Sequence, residues 1–192
     1  AAASPIALDE GAVGRLYLHY QELCRWNRNL SLVGPCTEQE LVSRHYAESL
    51  AAIPLLPSGP ASLLDVGSGA GFPGLVLAAV RSDLEVTLVE PRERKWAFLL
   101  AAARRGALSC RCLNARVAHP LPGSLPAVTD LVTSRALSLT GLIGPLATLV
   151  PPNGTFLLWL GRNSPPALPG FRLEREVRLP GNHRRICELR RT

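Results

Sequence analysis

Apolar side chains recur at Val13, Leu16, Tyr17, Tyr20, Leu23 and Cys24, a spacing that predicts an amphipathic helix over residues 9–26. Thr37 followed by Glu40 has the form of a capping box. It opens a second predicted helix through Leu41, Val42, Tyr46 and Leu50, stopped by Pro54. Beyond the turn-rich segment 54–62 the texture changes. Ser62-Leu63-Leu64-Asp65-Val66 is a short apolar run closed by glycines, as in a strand buried on both faces. Further strands are predicted over 84–90, 109–114, 129–135 and 154–160, and helices over 73–81, 92–105 and roughly 138–150. Pro91 stands where a first helical residue is expected. In 171–179, Phe171, Leu173, Val177 and Leu179 alternate with charges, which predicts a one-sided antiparallel strand, with 184–190 as its hairpin partner.

Strands alternating with helices imply an α/β fold of Rossmann-like type. The expected sheet is mostly parallel, seven-stranded, covered on both faces and closed by a C-terminal antiparallel hairpin. The chain reads as one domain: N-terminal helices over 1–53 leading into a core over 61–192.

Composition changes this picture little. Of 192 residues, 47% are hydrophobic, enough for a packed core and too many for a disordered chain. No apolar run approaches the roughly 18–20 residues that cross a bilayer, and AAASPIAL carries no basic stretch of the kind that begins a secretory leader. A cytoplasmic, membrane-free protein is expected, working as a monomer. Twenty-one basic residues against fifteen acidic ones leave a charge of +6, and Lys95 is the sole lysine. Such a balance makes an anionic partner plausible, nucleic acid first. The five cysteines form no CxxC pair; Cys110 and Cys112 share one face of a predicted strand and read as free thiols, so no metal site is expected.

The most informative stretch is Asp65-Val66-Gly67-Ser68-Gly69-Ala70-Gly71-Phe72-Pro73-Gly74. Glycines between a first strand and a first helix let the backbone turn tightly and approach a ligand closely. Glu90, about 23 residues past Gly67, ends the next strand, where an acid grips a ribose hydroxyl in such folds. Two cofactors compete. Gly69, Gly71 and Gly74 match the dinucleotide spacing, in which a helix N-terminus holds a pyrophosphate. Asp65, Gly67, Gly69 and Gly71 match instead the D-x-G-x-G-x-G turn of S-adenosylmethionine enzymes. An acid at the strand end suits an ammonium group and opposes a pyrophosphate, and the chain has little length left for a second substrate region. The methyl donor is therefore preferred over NAD.

The surrounding words are more specific. Trp26-Asn27-x-x-Leu30-x-Leu32, Arg44-His45-x-x-Glu48-Ser49, the glycine turn with its Phe72-Pro73-Gly74 continuation, and Thr133-Ser134-Arg135-Ala136 follow one another in order. Together they resemble the glucose-inhibited division protein B family, bacterial 16S ribosomal RNA guanine-N7 methyltransferases. The resemblance covers the chain from about residue 13 onward. It implies a Rossmann-like methyltransferase fold, S-adenosyl-L-methionine as cofactor, and 16S ribosomal RNA or the small ribosomal subunit as partner. It implies cofactor contacts from Asp65, Gly67, Gly69, Gly71, Phe72 and Glu90, adenine contacts from Val117 and Ala118, and Arg135 beside both cofactor and substrate. Two positions depart from the family pattern: Ala118 replaces a common acid, and Leu160 replaces a lysine, with Arg162 a candidate substitute.

Guanine N7 carries a lone pair and no proton, so methylating it needs alignment and no general base. No Ser/His/Asp or Cys/His constellation is visible, and Pro151-Pro152-Asn153 precedes the fifth strand as a turn. Arg135 is the candidate for positioning the substrate, by bonding the guanine edge or a phosphate; a salt bridge to Glu90 or Asp65 is the structural alternative. Arg44, His45, His183 and Arg184 are candidates for RNA contact, as are Arg15, Arg25 and Arg28 on the first helix, with packing or solvated charge the plainer reading of each. A protein that binds S-adenosylmethionine without catalysis remains the other alternative.

Overall fold

A computed structural model describes residues 7–135, 141–162, 164–180 and 183–192. Helix α1 (Glu10–Asn27) begins where Asp9 accepts a hydrogen bond from the Ala12 N–H at 2.6 Å. The Thr37–Glu40 capping box forms, with Glu40 accepting from the Thr37 N–H and Thr37 from the Glu40 N–H. The helix it opens is not uniform. It starts as α2 (Glu38–Leu41), widens into a π-helical stretch over Val42–Ala47, and returns as α3 (Glu48–Leu50). Widening a helix displaces its carbonyls, and those of Arg44 and His45 are taken up by the Arg135 guanidinium.

The core alternates as expected: β1 (Ala61–Val66), α4 (Gly74–Val80), β2 (Leu84–Val89), α5 (Glu93–Arg105), β3 (Cys110–Leu113), β4 (Leu131–Arg135), α6 (Ile143–Ala147) and β5 (Thr155–Leu160). β6 (Phe171–Arg178) and β7 (Arg185–Arg191) complete a seven-stranded sheet ordered β3-β2-β1-β4-β5-β7-β6, in which only β7 runs against its neighbours. The order reverses between β1 and β4, the place where open α/β sheets leave a crevice at their strand ends.

Three elements differ from expectation. Helix α5 starts at Glu93, because the Arg92 N–H bonds the Glu90 carboxylate at 2.9 Å and holds the chain in a turn past Pro91. Helix α6 is shorter than the predicted 138–150: Gly141 takes a left-handed φ of +76°, and residues 138–140 lie outside the described part. Strand β6 is not one-sided. Leu173 pairs with Leu189 and Arg175 with Glu188, so Glu174 is an extra residue, a bulge. It moves the odd-numbered side chains from one face to the other. Phe171 packs into the cluster of Leu64, Val132 and Phe156, whereas Val177 and Leu179 join the opposite cluster.

That opposite cluster also contains Leu23, Leu41 and Tyr46 of the N-terminal helices beside Leu75, Leu88 and Phe98. The leading helices therefore share the core of the sheet. No helix among the described residues is long and apolar enough to cross a membrane.

Candidate active site

The turn after β1 is shaped by three glycines with positive φ: Gly67 (+76°), Gly69 (+55°) and Gly71 (+85°). Their tasks differ. A Cβ at Gly71 would stand 2.6 Å from Leu75, a packing conflict. At Gly69 it would meet only the Gly67 carbonyl, at 3.7 Å, and would project into open space. That space is a cavity of about 450 Å³ at the strand ends, bordered by Gly67, Gly69, Phe72, Glu90, Val117 and Arg135 among others.

Glu90 is 5% exposed, and its carboxylate is held in place by the N–H groups of Gly69 (3.0 Å) and Arg92 (2.9 Å). Asp65, fully buried, lies behind the turn and does not border the cavity. It accepts from the Thr133 hydroxyl at 2.8 Å and the Gly74 N–H at 3.3 Å, and burial raises its pKa to about 6. The start of α4 is thus already occupied by a carboxylate. A pyrophosphate there would displace Asp65 and meet its charge, so the dinucleotide reading of Gly69, Gly71 and Gly74 has no site.

The far wall comes from a segment the glycine pattern does not touch. Asn27 accepts from the N–H groups of Leu32 and Val33 (2.8 and 3.0 Å), folding the 28–33 connection so that both apolar residues border the cavity. This gives the Trp26-Asn27-x-x-Leu30-x-Leu32 motif its structural reason. Trp26 donates its indole N–H to Glu22 at 2.7 Å.

Arg135 reaches the cavity from the end of β4. Its side chain is 11% exposed and pairs with Glu48 at 3.0 Å, not with Glu90 or Asp65. Arg184, from the C-terminal hairpin, pairs with the other oxygen of Glu48 at 2.5 Å. Burial pushes the Glu48 carboxyl up and lowers Arg135, while Arg135, Arg184 and Arg44 act to keep Glu48 ionised. Beside this cluster the His45 ring lies against Phe72, with centroids 4.9 Å apart, and borders the cavity. Burial, then the charges of Arg135, Arg44 and Arg184, lower its pKa to about 4.

The structure therefore brings Gly67, Gly69, Phe72, Glu90, Val117, Arg135 and His45 together. It leaves Asp65 and Gly71 behind the turn, and Ala118 exposed and outside the lining. Arg44 and His183 are exposed nearby in sequence to the charged cluster, and Ala136 lies outside the described residues. Leu160 packs against the second core cluster, with Arg162 exposed beyond it. Cys110 and Cys112 are half-buried on β3, and no metal-holding group occurs among the described residues.

Two residues that support the cavity walls are given no role by the sequence. Glu48 is one, although it stands in the quoted Arg44-His45-x-x-Glu48 element. The other is His19. It is fully buried, its Nε2 donating to the Ala70 carbonyl of the glycine turn (3.0 Å) and its Nδ1 accepting from the Tyr46 hydroxyl (2.7 Å). A histidine on the apolar stripe Leu16–Leu23 is the signal that marks it.

The GidB family model, described as rRNA small subunit methyltransferase G, matches residues 13–167. The chain is similar to ribosomal RNA small subunit methyltransferase G of Xanthomonas campestris pv. campestris strain B100, 38% identical over 174 residues, 87% of this chain and 79% of that protein. Similarity to the protein of the same name from Desulfotalea psychrophila reaches 47% over 98 residues, half of this chain but only 45% of the relative. A SAM-dependent methyltransferase from Aquifex aeolicus superposes with a TM-score of 0.60 at 14% identity, covering 81% of this chain and 94% of the other, which shows a shared fold. With the motifs, the sheet order and the family match extending over most of its length, the chain belongs to the GidB family of small-subunit rRNA methyltransferases.

Proposed function

We propose that this protein is an enzyme that transfers the methyl group of S-adenosyl-L-methionine to N7 of a guanine in 16S ribosomal RNA. One observation carries the cofactor half: the Glu90 carboxylate is fixed in the cavity while Asp65 occupies the helix start. This donor set suits a cationic ligand with ribose hydroxyls and no phosphate. S-adenosylmethionine supplies an electrophilic methyl group on a sulfonium. Gly67 and Gly69 leave the backbone open to the cofactor, Glu90 takes the ribose hydroxyls with its remaining lone pairs, and Val117 borders the adenine.

The acceptor half rests on His45. It is the imidazole that borders the cavity, and a pKa of about 4 makes it a poor proton acceptor at neutral pH. Guanine N7 asks for none. Its lone pair forms the new N–C bond as the C–S bond breaks, the positive charge passes from sulfur to the base, and no proton moves. Arg135, held by Glu48 at the cavity, orients the guanine edge or its phosphate. Arg44, His183 and Arg184 are the RNA contacts of this reading, which also carries a monomer acting in the cytoplasm.

The test is a calorimetric titration with S-adenosylhomocysteine beside NAD, followed by transfer of labelled methyl to 16S ribosomal RNA and mapping of the modified atom. Binding of NAD alone overturns the reading; binding without transfer leaves a cofactor-binding module. The rate of the methyl-transfer step is expected to be flat between pH 6.5 and 8.5, and a bell-shaped profile there would point to another acceptor atom.

A further inference from the structure

The cavity does not end at its mouth. Arg92 and Lys95, which border it, also border a second hollow of about 450 Å³ between the 29–31 connection and the first turn of α5. That hollow shares Asn29, Leu30, Glu93 and Arg94 with a third, of about 570 Å³, which reaches Arg25 and Trp26 at the end of α1. Each hollow shares lining residues with the next, so the three lie in series from the outer surface of α1 and α5 to the candidate active site. Arg25, Arg94, Arg92, Lys95 and Arg116 stand along it, and Glu93 is the single acid bordering the two outer hollows.

The pairing of these cations sets them apart. Among the described residues, Arg92, Arg94, Lys95 and Arg116 form no ion pair, and Arg25, 68% exposed, shares Glu22 with Arg105 and the Trp26 indole. On the β6–β7 hairpin four of the six arginines on the strands, Arg172, Arg175, Arg185 and Arg190, each meet a carboxylate within 3.2 Å. Uncompensated like charges in one groove repel one another and are relieved by an extended polyanion. The half-buried Trp26 adds an aromatic surface on which a base can stack.

We infer that this groove is the track for a single-stranded RNA segment flanking the target guanine, with its phosphates on Arg25, Arg94, Arg92 and Lys95. The inference rests on the proposed function and extends it to the path of the substrate.

The double variant Arg25→Glu/Arg94→Glu tests it, because both residues lie outside the first cavity. KM for 16S ribosomal RNA is expected to rise at least tenfold with kcat and S-adenosylhomocysteine affinity unchanged. The slope of log KM against log salt is expected to fall by about 1.4, from about 0.7 for each lost single-strand phosphate contact. Arg25→Lys/Arg94→Lys should stay within threefold of the parent, which separates charge from folding. Arg172→Glu, at the other end of the sheet, should stay within twofold. An unchanged KM and salt slope in the charge-reversed double variant overturns the inference, as does an equal rise in Arg172→Glu. Fluorescence anisotropy with a labelled single-stranded RNA dodecamer reads the groove independently of turnover. Loss of affinity in the double variant supports the track even where the parent protein transfers no methyl group, a result that would strike only the proposed function. Duplex RNA binding as tightly as the single strand would overturn the inference.

Discussion

The two sides of the candidate site are built by opposite means. The turn after β1 is local and made of backbone: ten consecutive residues, three positive φ angles, and two carboxylates, Glu90 and Asp65, bonding to its N–H groups. The side around Arg135 is assembled from three distant segments, with Glu48, Arg135 and Arg184 meeting through side-chain charge. A surface built from glycine backbone fails when a side chain is added. A charge-built surface fails when one member is removed.

The largest expected effect breaks the second side. Glu48→Ala leaves two guanidinium groups facing each other without their carboxylate and should cost about 3 kcal/mol in unfolding free energy. Urea denaturation measures it, and a loss below 1 kcal/mol would mean that the cluster contributes little. Breaking the first side needs an addition. Gly69→Val combines a strained φ of +55° with a branched side chain projecting into the cavity, so S-adenosylhomocysteine affinity should fall at least a hundredfold by calorimetry.

A third change reads the layer behind both. Burial lowers the His19 pKa from 6.5 to about 4, so the stability it contributes is present above pH 6.5 and is lost as pH falls toward 4. By pH 5 the loss is on the order of 2 kcal/mol, and His45, half-buried with its pKa also lowered to about 4, adds in the same direction. Asp65, raised to about 6, acts in the opposite sense between pH 3.8 and 6. Comparing urea unfolding at pH 7.5 and 5, His19→Gln should flatten the dependence; an unaltered slope removes His19 from its cause. The smallest effect sharpens the contrast. Arg135→Ala should lower methyl transfer to RNA about tenfold while leaving cofactor affinity within threefold, and equal losses in both would place Arg135 on the cofactor alone.

This division also explains what was legible in the sequence. Strands buried on both faces read as apolar runs, and a turn that needs φ above zero shows its glycines at fixed spacing, so β1, β2, β5 and the Gly67–Gly71 turn could be read directly. Glu90 followed because its distance from the turn is set by one helix and one strand. Glu48 stands 87 residues before Arg135, and nothing local announces that pairing. The bulge at Glu174 was marked only by Arg175, which interrupts the apolar alternation of Phe171, Leu173, Val177 and Leu179 at the point where the backbone switches the face they serve. Asp65 was misplaced for a related reason: spacing located it at the turn but not on which side of the backbone its carboxylate lies.

The bond from His19 to the Ala70 carbonyl joins the first helix to the cofactor turn. Docking of that helix and ligation of the turn are therefore reciprocal. Whatever the ligand gains from a well-formed turn it returns as protection of α1 against local opening, so the N-terminal segment is part of the binding equilibrium itself.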